Sequence, residues 1–144
     1  MYFHISPTKL SGVLSPSIPR SAKADGEPLF PRICVSPTVS QCMLSKHWVD
    51  FINIGLYVYS TDCSAVDCWK VVDSKWTDEK WILGSAKFEF KTFLSPAILS
   101  RLHNKWRRHL KKNNFTGIIS FVPPSFHLDW LKKQKPPKII EKFW

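Results

Sequence analysis

The sequence predicts an α+β domain in which a small antiparallel sheet is covered by one amphipathic basic helix. Three observations lead there. Between Ser45 and Phe93, runs of β-branched and aromatic residues alternate with turn-forming Asp, Ser and Thr. After Ser95 the apolar period lengthens from two to about 3.6 residues, the change from strand to helix. Flanking both is chain of different character, proline-rich before and basic after.

In residues 1–41, Pro7, Pro16, Pro19, Pro28, Pro31 and Pro37 remove backbone donors and disfavour long helices or central strands. This segment reads as an arm, with Tyr2–Ile5 and Ile33–Val35 as short edge strands and Ser15–Pro28 as loop. The strand pattern then runs through Trp48–Ile54, Gly55 and Leu56–Tyr59, with a second candidate at Trp69–Val72. The clearest run is Trp81–Leu83 followed by Ala86–Phe93, where Phe88 and Phe90 alternate with Lys87, Glu89 and Lys91. Together these suggest an antiparallel meander with one face to solvent.

A helix is expected over Pro96–Asn113. Ser95 is a suitable N-cap, Pro96 suits the first helical position, and Asn113, Asn114 and Gly117 close the element. At about 100° per residue, Leu99, Leu102, Trp106 and Leu110 share one arc, while Arg101, Lys105, Arg108 and Lys112 form a separate stripe. Ile118–Val122 reads as a further strand stopped by Pro123 and Pro124. A short helix capped by Ser125 and running through Leu131 and Lys132, then a basic tail, follow. A chain of 144 residues is most simply one domain, divided into the arm (1–41), an α+β core (42–124) and the short helix with its tail (125–144).

The charge is strongly uneven. Residues 1–94 hold 10 basic and 9 acidic side chains, whereas residues 95–144 hold 11 basic and only two acidic ones, Asp129 and Glu141. An asymmetry of this kind points to a polyanionic partner. Stripe residues spaced by three and four cover about 16 Å of helix, enough for several phosphates. Arg107, Lys111, Lys132, Lys133 and Lys135 widen the patch, and Trp130 and Trp144 are candidates for stacking on bases. Trp106 belongs to the apolar arc instead. The expected function is therefore non-enzymatic binding of DNA or RNA through phosphate contacts. A protein-interaction module docking on an acidic partner is the alternative, since aromatic and arginine residues also dominate protein interfaces.

Other chemistry finds less support. Cys42, His47, Cys63 and Cys68 are residue types that zinc accepts, with Cys34 as a substitute, but no two-residue knuckle gap appears and ordinary thiols are the default. His103 and His109 fall about 120° apart on a helix and would not share a substrate. His127 and Asp129 lack a third catalytic partner. Phosphate-loop, dinucleotide and nucleophile-elbow motifs are absent, so no cofactor is expected. The opening residues lack the charged and apolar regions of a secretory signal, and no apolar run is long enough to cross a membrane. These features predict a protein of the cytoplasm, nucleoid or nucleus, not a secreted one.

Overall fold

A computed structural model of the chain describes residues 1–69, 71, 74–115 and 122–144. It has the expected α+β composition, with the strands distributed over three small antiparallel sheets. The central sheet joins β1 (Tyr2–Ser6), β4 (Leu56–Thr61) and β8 (Glu89–Leu94) in the order β1-β4-β8. A second pairs β2 (Val13–Leu14) with β7 (Ala86–Lys87). The third sets β3 (Ile33–Val35), β6 (Lys80–Ile82) and β5 (Val66–Asp67) side by side. The central sheet is thus assembled from strands distant in sequence, not from the consecutive hairpins of a meander.

Strand alternation explains the layering. Leu56 and Val58 enter one core with Phe3, Ile5 and Leu94. Tyr57 and Tyr59 turn to the opposite side, where Ile33, Val35, Ile82, Ala86 and Phe88 lie. In β8 the alternation is interrupted. Val58 faces Thr92 and Tyr59 faces Phe90, which leaves Lys91 as an extra residue in a bulge. Phe90 lies against Tyr57 and Tyr59 on the side of the sheet where Phe88 is buried, but is itself 51% exposed. Gly55 enters β4 at φ +89°, and a Cβ there would sit 2.5 Å from the Phe93 ring. Glycine serves here for both its conformation and its size.

The helices form the other layer. α1 (Val39–Ser45) lies against β1, and a 3-10 helix (Trp48–Phe51) follows it. A single-turn α2 (Ser74–Thr77) precedes β6. α3 (Pro96–Lys112) and α4 (Pro124–Lys132) add Leu99, Trp106, Trp130 and Leu131 to the first core. A terminal 3-10 helix (Lys138–Phe143) packs against β8 and buries Ile140 completely. Several helical segments therefore share the sheet's cover. None of the described helices is long and apolar enough to cross a membrane.

Four sequence expectations change. The two edge strands expected in residues 1–41 are present as β1 and β3, but β2 is a third strand there, and buried Phe3, Ile5, Ile33 and Val35 make the proline-rich segment part of the layers. Trp48–Ile54 is a 3-10 helix and turn despite its β-branched residues, because Trp48 is drawn fully into the core. α4 begins after Pro123, with Pro124 in its first turn, and not at Ser125. Finally, the tail is not free chain, since it folds back through the terminal 3-10 helix. Of the expected strands at Trp69–Val72 and Ile118–Val122, Lys70 and Val72 of the first and residues 118–121 of the second lie outside the described residues, and Trp69, Val71 and Val122 are in no strand.

Candidate nucleic-acid interface

The basic helix is built as its sequence suggests. The Ser95 hydroxyl accepts from the Ile98 amide at 3.4 Å, satisfying one free N-terminal donor, and Pro96 occupies the first turn. At the other end, the Asn113 backbone amide donates to the His109 carbonyl at 3.1 Å and its side-chain Nδ2 donates to the same oxygen at 2.8 Å. Leu99 and Trp106 are buried, and Leu102 and Leu110 pack against the same core. This anchoring leaves Arg101, Lys105, Arg107, Arg108, Lys111 and Lys112 exposed.

No acidic residue occurs anywhere in α3. Among the described residues, no ion pair involves any of its six cations. Lys111 and Lys112 lie in the last turn, where the helix dipole favours positive charge and offsets part of their repulsion with Arg107 and Arg108 one turn earlier.

The C-terminal segment supplies the second part. The Trp144 indole Nε1 donates to the Leu131 carbonyl at 2.7 Å. The Trp144 carbonyl accepts from the Ser40 amide at 3.3 Å and also from the Ser40 hydroxyl. Phe143 packs on Phe3 with ring centres 5.1 Å apart. This docking draws the Lys135–Pro137 stretch alongside α3. Between them runs a groove of about 130 Å³, lined by Leu94, Ile98, Leu99, Leu102, Pro136, Pro137 and Trp144, with Arg101, Lys105, Gln134 and Lys135 as its polar residues. A neighbouring depression shares Gln134, Lys135, Pro136 and Trp144 and extends to Lys132, Lys133, Thr38 and the acidic Glu141.

The structure therefore gathers Arg101, Lys105 and Lys135 around one groove, with Lys132 and Lys133 beside it. Arg107, Arg108, Lys111 and Lys112 do not line it and continue the charge along the helix. Trp130 does not belong to this surface. It is only 7% exposed, packed in the core with its ring centre 4.8 Å from that of Trp106, and it cannot stack on a partner. Trp144, half-buried and fixed by its hydrogen bonds, is the aromatic residue of the groove.

The remaining candidates separate. Cys42 is buried, donates to the Phe3 carbonyl at 3.0 Å, and has its thiol pushed up to about 12 chiefly by burial. Burial also raises the Cys34 and Cys68 thiols. Cys42, His47, Cys63 and Cys68 do not converge, and no group of three metal-ligating side chains occurs among the described residues. His103, His109 and His127 pack against aromatic rings. His103 lies edge-on to Trp48, whereas His109 stacks on Phe126 at 5.1 Å. His127 stacks on Trp106 at 4.2 Å, and its Nε2 accepts from the Trp48 indole at 3.0 Å. Burial, reinforced by the nearby His47, lowers the His127 pKa to about 4. Asp129, its expected neighbour in chemistry, is exposed on the helix surface.

Sequence reasoning missed two features. One is the groove itself, which depends on contacts between residues as distant as Ser40 and Trp144. The other is a buried polar cluster where Arg32, only 2% exposed, pairs with Glu27 at 2.5 Å and lies 4.5 Å from the centre of the Trp81 ring. Glu79, also buried, accepts from the Trp81 indole at 2.9 Å and the Ser45 hydroxyl at 3.0 Å. Compared with known proteins, the chain matches no family model, no curated protein and no solved structure.

Proposed function

We propose that this protein binds nucleic acid through the cationic band formed by α3 and the Lys132–Lys135 segment. The observation that carries the reading is the acid-free helix, whose six cations are exposed and free of ion pairs among the described residues. Such cations displace condensed counterions from phosphates, a gain that grows with the number of contacts and weakens with salt. Lys132, Lys133 and Lys135 extend the band beyond one helix, and no catalytic residue is assigned. A partner of this class is met in the cytoplasm, nucleoid or nucleus.

The test is fluorescence anisotropy with short single- and double-stranded DNA and RNA, titrated across salt. On duplex, the logarithm of affinity should fall with that of salt by about 0.9 for each phosphate displaced. The triple variant Arg101→Glu, Lys105→Glu, Arg108→Glu should lose binding by roughly a hundredfold or more at physiological salt. Undiminished affinity in a folded triple variant contradicts the assignment. If no nucleic acid binds at that salt, an acidic protein surface becomes the partner to seek.

A further inference from the structure

We infer that the groove between α3 and the C-terminal segment receives an unstacked base from a single strand, whose phosphates lie on Arg101, Lys105 and Lys135. This inference rests on the nucleic-acid reading and names the form of nucleic acid that the same site prefers.

The composition of the groove is the first argument. Its three charged residues are all basic, come from two separate elements and accompany a largely apolar lining. A surface meant only for phosphates needs the cations but gains nothing from Ile98, Leu102, Pro136 and Trp144 below them. Duplex DNA keeps its bases stacked inside, so it would engage the rim and leave that floor unfilled. A single strand offers phosphates and ring faces together, and uses both parts of the site.

Preorganisation is the second. Trp144 is fixed at its indole nitrogen by the Leu131 carbonyl and at its own carbonyl by Ser40, so little ordering remains to be done when a ring approaches. Gln134 donates through Nε2 to the Trp130 carbonyl at 2.9 Å. That bond uses one of its two amide N–H donors, so the other N–H and Oε1 remain as polar groups it can present to a base edge. A volume of about 130 Å³ admits one ring-sized group, not a run of stacked bases.

The decisive comparison uses the unaltered protein with three probes of equal length, each made as DNA and as RNA: a single strand, the same strand made abasic, and a duplex. All three carry phosphates, but only the first offers free base faces. The single strand should bind at least about tenfold tighter than the abasic strand, the lower part of the range for one stacked base. A 2-aminopurine in that strand should lose emission on binding as it stacks on Trp144. Leu102→Trp, which fills the groove, should reduce the single strand to the affinity of the abasic one. Equal affinity for base-bearing and abasic strands, or unchanged 2-aminopurine emission, overturns the groove while leaving the phosphate band standing. If none of the three binds, the nucleic-acid reading fails and the groove inference fails with it.

Discussion

The two parts of the chain treat charge in opposite ways. Every ion pair among the described residues lies within residues 1–94: Met1 with Asp62, Arg32 with Glu27, Lys80 with Asp67 and Asp78, and Lys91 with Glu89. There, acids nearly balance bases, and one guanidinium is taken fully into the interior. In residues 95–144 two acids accompany eleven bases, and the cations of α3 stand in solvent. The first arrangement satisfies charge within the fold. The second leaves the charge in solvent, and the helix tolerates it because its apolar arc, not its charges, anchors it.

If this contrast is right, removing charge from the two regions should have different consequences. The largest effect on stability is expected at Arg32. Glu27→Gln leaves a buried guanidinium without its carboxylate and should cost about 3 kcal/mol, the lower end of the range for a broken buried pair because Glu27 is itself partly solvated. Urea denaturation followed by circular dichroism measures this. A change below about 1 kcal/mol would place the Glu27–Arg32 pair among ordinary surface pairs and weaken the contrast.

His127 gives the next effect, of similar order. Its folded pKa is about 4, below the ordinary 6.5, because burial between Trp48 and Trp106 disfavours the imidazolium. Between those values the unfolded chain binds more protons, so stability present above about pH 6.5 is lost as pH falls towards 4, by roughly 3 kcal/mol in all. Burial lowers His4 and His103 in the same direction. Denaturation midpoints taken from pH 7 to 4 should drop, and His127→Gln should flatten that profile. An unchanged slope in the variant would mean that other groups govern the acid response.

Substitutions on α3 should have the smallest effect on folding. Arg101, Lys105 and Arg108 make no ion pairs among the described residues, so replacing each by alanine should change stability by less than about 0.5 kcal/mol. Thermal unfolding of the single variants checks this, and a loss above about 1 kcal/mol would show that the stripe helps hold the fold.

How much of this was legible in the sequence follows from the range of the interactions involved. α3 was readable from Ser95-Pro96, the spacing of Leu99, Leu102, Trp106 and Leu110, and the closing asparagines, all local signals. α1 carried one as well, since Thr38 and Gln41 have capping-box spacing and the Thr38 hydroxyl accepts from the Gln41 amide at 3.3 Å. The prolines and β-propensity nearby obscured it. Trp48–Ile54 misled because tertiary burial of Trp48 outweighed strand propensity. Trp130 misled because a tryptophan's place in core or surface is set by what packs against it. The cations of the candidate site were legible from composition and period alone. The groove was not, since it forms only when Trp144 reaches Ser40 and Leu131.

The central claim is that the placement of charge, and not its total, gives the protein its partner. A charge-matched pair of variants tests it most directly. One carries Arg101→Glu, Lys105→Glu and Arg108→Glu; the other carries Lys9→Glu, Lys23→Glu and Lys87→Glu, three exposed positions in the first region. Both lose the same net charge. Measured against single-stranded DNA across salt, the α3 variant should lose roughly a hundredfold in affinity and most of its salt slope, while the other stays within about threefold of the unaltered protein. Equal losses in both would contradict the account, reducing the asymmetry to a matter of overall charge.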